Sequence, residues 1–258
     1  MSDLTGKVAL ITGASQGIGL ATAQHLATLG ASVALAARRG SVIEESASQL
    51  RSAGSKAAAI TCDVQSFQSV EQAIAQTIQT FGGLDIVVNN AGVIDPIARI
   101  TDSDPSLWSA AVDTNFKGVY HSIRAAAPSL QKQGSGTIVN ISSGAANSAL
   151  EGWSHYCSTK AAAKKLTECA HKELADFGIR VVGLSPGTVA TDMMDKIRKS
   201  GINPVSKLDW SSHIPPEWAA KAVAFLCSDA GAEFAGTDFS IKTIEGRRLV
   251  GLPTDGAA

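Results

Sequence analysis

Seven short apolar runs, each closed by a turn, alternate along this chain with six longer helical patterns. The runs are residues 7–12, 32–37, 57–62, 84–89, 137–142, 180–184 and 238–242, and the helical stretches are 17–29, 42–53, 67–81, 104–131, 154–177 and 216–228. Parallel neighbours need a crossover long enough to hold a helix, so strict alternation predicts a parallel sheet with helices on both faces. Several helical stretches stop at a glycine (Gly30, Gly54, Gly82, Gly178), the residue that most readily takes the left-handed conformation past a helix end. There is no linker, repeat or shift in composition. The expectation is α/β, one doubly wound domain over residues 1–258. Residues 197–215 read as its main irregular insertion, within a substrate loop around 190–215, and the tail from Leu252 reads as loosely held.

Composition narrows the function classes. The chain has 258 residues, 45% hydrophobic and 17% charged, with a formal net charge of −1. That balance suits a globular protein and offers no footprint for nucleic acid or an anionic membrane. No apolar run approaches the roughly 20 residues of a membrane span, and no basic, cleavable leader precedes residue 7. The four cysteines, Cys62, Cys157, Cys169 and Cys227, lack metal or disulfide spacing and read as reduced thiols. A cytoplasmic protein without a metal is expected, with no nucleic-acid or membrane partner.

The first run opens into Thr12-Gly13-Ala14-Ser15-Gln16-Gly17-Ile18-Gly19 just where the first helix begins. Glycines there let the backbone approach a pyrophosphate, and the helix start supplies amide donors. After the second run comes Ala37-Arg38-Arg39. An acid at the end of that strand would bond the adenosine ribose of NAD, whereas an arginine can receive a 2′-phosphate. Ala37 fills the carboxylate slot and Arg38 follows it, which favours NADP(H). Asp63-Val64, Asn89-Asn90-Ala91-Gly92, Ser142-Ser143 and Pro186-Gly187-Thr188-Val189-Ala190-Thr191 end later strands, at the edge where open α/β sheets bind ligands. Asn115 is a polar residue among apolar helical positions, so it makes either a structural bond or part of a water-filled relay.

Tyr156 and Lys160 lie four apart at the start of a helical run, hence on one face. A free phenol titrates near about 10, and a neighbouring cation favours its phenolate. Such a phenol suits proton exchange with a carbonyl or alcohol oxygen. Alone, the pair would pass for an ordinary amphipathic contact.

Taken in order, Gly13-x-x-x-Gly17-x-Gly19, Asp63, Asn89-Asn90-Ala91-Gly92, Asn115, Ser143, Tyr156-x-x-x-Lys160 and Pro186-Gly187 resemble the short-chain dehydrogenase/reductase family over residues of about 5 to 245. The resemblance implies a Rossmann-type sheet of seven parallel strands and hydride transfer between a nicotinamide and a carbonyl or secondary alcohol. It implies Tyr156 as the acid/base and Ser143, thirteen residues upstream, as the holder of the substrate oxygen. It gives Lys160 the support of the phenol and a ribose contact, and Asn115 a relay water. Gly13, Ser15, Gln16, Gly17, Ile18, Gly19, Asp63, Val64, Asn90, Ala91, Gly92, Pro186, Gly187, Val189 and Thr191 resemble coenzyme contacts, and Ala37-Arg38 the NADP-preferring pattern. Where many members end the last strand in Val-Asp-Gly-Gly, this chain has Ile241-Lys242-Thr243-Ile244-Glu245-Gly246-Arg247-Arg248.

Expected substrate walls are Ala145, Asn147, Leu150, Trp153, Asp95, Pro96, Met193, Met194 and the 197–215 segment with Trp210. This inventory favours a small, mostly apolar ketone or diketone, making the protein a carbonyl reductase. The alternatives are a 3-oxoacyl-thioester reductase, for which the 197–215 segment offers Arg198, Lys199 and Lys207, and a non-catalytic NADP-bound scaffold. Small residues Ala125, Ala126, Ala162, Ala163 and Cys169 read as an outward stripe for a homo-oligomer, with a tetramer favoured.

Overall fold

The computed structural model describes residues 3–255. Its sheet has seven strands: β1 Val8–Thr12, β2 Ser32–Ala37, β3 Ala57–Thr61, β4 Ile86–Asn89, β5 Gly136–Ile141, β6 Ile179–Ser185 and β7 Asp238–Ser240. They lie in the order β3-β2-β1-β4-β5-β6-β7, every neighbouring pair parallel. The order reverses between β1 and β4, which opens a crevice at the carboxyl ends of the strands.

Period-two alternation sends successive side chains to opposite faces. Ala9, Ile11, Val33 and Leu35 enter one apolar cluster with Ala23 and Leu26 of helix α1 (Gly17–Thr28), Ile43 of α2 (Gly40–Ser52) and Val223 of α8 (Pro216–Cys227). Leu10, Ala34 and Val87 enter the other, with Val70 and Ile74 of α3 (Phe67–Phe81), Ile123 of α5 (Gly118–Gln133) and Ala163 of α6 (Ser154–Leu174). Helix α4 (Pro105–Val112) runs into α5 through a π-turn at Asp113–Lys117. A third cluster, with Ile94, Ala145, Trp153, Tyr156, Met194 and Ile197, lies apart from both.

The structure corrects the sequence reading at the C-terminal end. Residues 192–200 form helix α7 (Asp192–Ser200), and 244–250 form α9 (Ile244–Val250). Strand β7 stops at Ser240, two residues short of expectation. The 197–215 segment contains 3-10 turns at Pro204–Lys207 and Trp210–Ser212. It is tied to the 188–190 stretch by Ile214 N–H to Thr188 O (3.0 Å) and Ala190 N–H to Ile214 O (2.9 Å). Nor are residues 252–255 loose; residues 256–258, the rest of the expected loose tail, lie outside the described residues. Leu252 is buried, and the Arg247 guanidinium donates to the carbonyls of Ile241, Pro253 and Asp255. Ala126 and Ala163 belong to the internal core, so the outward small stripe loses two of its members.

Candidate active site

Thr12 and Asn90 shape the floor of the crevice. The Thr12 hydroxyl accepts the N–H groups of Asn90 (3.1 Å) and Ala91 (3.2 Å). The Asn90 amide donates to the carbonyls of Thr12 (2.9 Å) and Gly13 (3.1 Å). Asn90 thereby braces the glycine-rich turn against the end of β4. Gly13 has φ +64°, and a Cβ there would meet Ala91 Cα at 2.8 Å. At Gly19 a Cβ would run into the Asn90 amide and the Gly13 carbonyl, so that glycine serves the packing of α1 rather than the cavity. The turn and the α1 amides remain clear for a diphosphate.

The cavity beyond them has a volume of about 720 Å³, within the roughly 300–1,000 Å³ of small-molecule sites. Ser15, Gln16, Gly17, Ile18, Arg38, Asp63, Val64, Ala91 and Gly92 line one half; Pro186, Gly187, Val189 and Thr191 cover it. Arg39, which the sequence reading passed over, lines it too. Its guanidinium donates to the Ser15 hydroxyl at 3.0 Å and to the Gln16 carbonyl oxygen, and Gln16 donates onward to Asp192 at 3.0 Å. A cation folded over the glycine turn has no signal in sequence beyond its place beside Arg38.

Tyr156 and Lys160 occupy the first two turns of α6 and are 8% and 5% exposed, so both are removed from bulk water. The Tyr156 phenol and the Ser143 hydroxyl line the same wall, and the Tyr156 ring packs edge-on against Trp153 with centroids 5.6 Å apart. The Ser143 hydroxyl also accepts the Ala145 N–H at 3.2 Å. Ser142, by contrast, gives its hydroxyl to Asp238 at 3.1 Å. Lys160 donates to Ile141 O at 2.7 Å, with its ammonium 5.7 Å from the centre of the Tyr156 ring. Burial, opposed by the nearby Ser143 hydroxyl, pushes Tyr156 up to about 12, and burial pushes Lys160 down to about 8. The expected lowering of the phenol is therefore absent in the protein by itself.

Asn115 sits in the π-turn, fully buried, and matches the Val93 peptide in both directions. Its carbonyl oxygen accepts Val93 N–H at 2.8 Å and its amide donates to Val93 O at 2.9 Å. It fixes the loop after β4 and does not line the cavity. His155 does the same from α6, through a 2.7 Å contact to Ile94 O. A buried chain missed in sequence runs from Asn89 to Asn140 (2.8 Å) and on to Thr167 (2.8 Å), tying β4 and β5 to α6.

At the substrate end the cavity is lined by Ala145, Leu150, Trp153, Met193 and Met194 and, from the 197–215 segment, by Ile197 and Val205; Ser148 and Lys242, absent from the expected walls, join them. Four expected walls are elsewhere. Asn147 is exposed and bonded to Lys164 (2.7 Å), and Asp95 pairs outside with Lys196 (2.5 Å). Pro96 is not part of the lining, and Trp210 stacks outside on Arg198. Their segments still reach the cavity through Ala145, Ser148, Ile197 and Val205, so the four absent side chains are excluded by their place on the turns.

The family model for short chain dehydrogenases matches residues 7–201. The chain belongs to the short-chain dehydrogenase family. It is 36% identical over 225 residues to an uncharacterized oxidoreductase of Staphylococcus aureus strain USA300, covering 87% of this chain and 92% of the relative. A Staphylococcus haemolyticus oxidoreductase is 38% identical over 196 residues, 76% of this chain and 84% of that one. Among solved structures, a short-chain type dehydrogenase/reductase from Mycobacterium marinum superposes with TM-score 0.85 at 34% identity, covering 93% of this chain and 95% of that chain. The protein is thus an oxidoreductase of a family that uses nicotinamide coenzymes. Among the described residues no helix is long and apolar enough to cross a membrane.

Proposed function

We propose that this short-chain dehydrogenase is an NADP(H)-dependent carbonyl reductase interconverting a small, mostly apolar ketone or diketone and its secondary alcohol. The observation that carries the reading is that buried Tyr156 and half-buried Ser143 line one cavity wall, close enough for the Ser143 hydroxyl to act on the phenol, with the Lys160 ammonium 5.7 Å from the phenol ring. Two hydroxyls converging on one point would hold a carbonyl oxygen and polarise it. Tyr156 would then give its proton to the developing alkoxide; in the reverse direction its phenolate would take the alcohol proton. The cradle around Gly13 and the α1 amides fit a dinucleotide, with Asp63 and Val64 toward the adenine, Arg38 and Arg39 toward a 2′-phosphate, and Lys160 toward the nicotinamide ribose. Bound there, the reduced coenzyme supplies the hydride. Asn115 and Gly92 would flank the proton path behind Lys160.

The thioester-reductase alternative loses support because Arg198 and Lys199 both pair with Asp195 on their own helix, at 2.7 and 2.6 Å. An acidic carrier would have to displace those contacts. We further place the protein in the cytoplasm as a homo-oligomer. The test is coenzyme oxidation by purified protein with NADPH over a panel of ketones, diketones and acyl thioesters. Reduction of the ketones supports the reading; binding of NADPH without turnover on any of them would favour a scaffold.

A further inference from the structure

The cavity is lined by four cations, Arg38, Arg39, Lys160 and Lys242, and among the described residues by one carboxylate, Asp63. Three of the cations have a place in the reading above. Arg38 and Arg39 lie at the adenosine end with Asp63, and Lys160 is anchored on Ile141 O. Lys242 has no such assignment. It follows β7, the edge strand, in the segment where many family members carry Val-Asp-Gly-Gly. Its aliphatic stem lies over Gly187, where a Cβ would meet Lys242 Cγ at 2.9 Å. Among the described residues its ammonium has no ion pair and no side-chain hydrogen bond.

The neighbour of Lys242, Gly187, is among the residues over the coenzyme half, and strand order sets how far this cation stands from the diphosphate and from Ser143. The β7 end lies four strand spacings, roughly 19 Å, from β1, at about 4.8 Å per strand. That is well beyond a Debye length from a diphosphate on the α1 amides. Ser143, at the end of β5, is two spacings away, roughly 10 Å. A lysine stem and a short acyl chain together span that gap. Apolar Ala145, Met193 and Met194 line the same cavity, whose one lining carboxylate among the described residues is Asp63.

We propose that Lys242 is a specificity residue that receives a carboxylate on the substrate, making short oxo acids the preferred carbonyl compounds. The inference rests on the carbonyl-reductase reading and amends it: an apolar body with one acidic end replaces a neutral ketone.

The test uses the whole enzyme with NADPH and paired substrates, pyruvate, acetoacetate and levulinate, each beside its methyl ester. Lys242 is exposed, so Lys242→Ala is expected to fold as the parent does, which coenzyme binding checks. For the preferred acid, Lys242→Ala is expected to raise KM about 5- to 30-fold, below what a buried charge-assisted bond gives because an exposed ammonium is screened. The kcat and the matching ester should change by less than about twofold, Lys242→Arg should restore the acid, and added salt should weaken the acid alone. Equal effects on acid and ester, or a raised KM for NADPH instead, would overturn the assignment of Lys242 and leave the reductase reading standing. Failure of the parent enzyme to reduce either member of any pair, nor any ketone, overturns both.

Discussion

Lys160 holds its ammonium 5.7 Å from the centre of the Tyr156 ring, yet hydrogen-bonds the carbonyl of Ile141, at 2.7 Å, and not the phenol. The buried cation is anchored by the end of β5, so its position is fixed by the sheet and not by the group it serves. Its other N–H bonds remain for the cavity. In the protein alone burial dominates both titrations, with Tyr156 up to about 12 and Lys160 down to about 8.

The first expectation follows directly. The chain has two tyrosines, so Tyr120→Phe leaves Tyr156 as the sole phenol. Without coenzyme, phenolate absorbance in that variant should rise only as pH approaches about 12, or earlier if alkali unfolds the chain. Saturation with NADP⁺ brings a positive charge to the site and should draw the titration downward. A midpoint below that of free tyrosine, about 10, in the unliganded protein would show that Lys160 outweighs burial.

Turnover gives the second. Tyr156→Phe deletes one hydroxyl from a packed ring, so folding and NADPH binding should persist while kcat falls roughly 10²–10⁴-fold. Lys160→Ala should lower kcat and also raise the KM for coenzyme. Groups acting as one unit are non-additive, so the double variant should be scarcely worse than the poorer single. Near-parental kcat in Tyr156→Phe removes the phenol from the reaction.

Stability should move the other way at Lys160. Its folded pKa of about 8 lies below the ordinary 10.5 of an unfolded lysine. Between those values the unfolded chain keeps a proton that the folded chain has released, so stability rises with pH across that window. At pH 7 the cost of burying the charge is present in full. Lys160→Met, of similar volume and uncharged, is therefore expected to melt at the same or a higher temperature at pH 7 while losing activity. Its advantage should shrink as pH rises from 8 to 10. A melting point several degrees below the parent at pH 7 would mean that the ammonium holds the fold together.

Association follows from what α4 and α5 leave uncovered. Leu107 is 52% and Tyr120 50% exposed, large apolar groups that a monomer gains nothing by showing to water. Light scattering at micromolar concentration should give a multiple of 26.5 kDa, and Leu107→Glu with Tyr120→Glu should lower it. A single species of monomer mass in the parent rules out the oligomer.

Local patterns carried most of the fold. Phe67–Phe81 and Ser32–Ala37 stand at the bounds their periodicity implied, because a buried face imposes its period on the sequence. Helix α7 is short and mostly charged, so its narrow apolar face of Met194 and Ile197 is hidden in the sequence, although Asp192 and Asp195 in its first turn and Arg198 and Lys199 in its last suit the helix dipole. Helix α9 had caps in Thr243 and Gly251. Asn115 was legible as a buried polar group, but that it grips Val93 depends on a loop 22 residues away. Arg39 and Lys242 were invisible as lining residues for the same reason: an exposed cation looks alike whether it faces a cleft or open water.

The last expectation concerns the coenzyme, where two adjacent arginines can be told apart. Arg38 and Arg39 both line the adenosine end, but Arg39 is already folded over the glycine turn by its bonds to Ser15 and Gln16. A guanidinium held in place loses less entropy on meeting a phosphate than a free one does. Arg39→Ala should therefore weaken NADPH more than Arg38→Ala does. A charge-assisted phosphate contact is worth roughly 1.5–3 kcal/mol, or about 10- to 100-fold in kcat/KM. Ala37→Asp combined with Arg38→Ile should shift preference toward NADH, since the carboxylate accepts ribose hydroxyls and repels a 2′-phosphate. Both should be read as the ratio of kcat/KM for NADPH and NADH on one substrate. Equal values for the two coenzymes in the parent enzyme would end the NADP assignment, whatever the variants do.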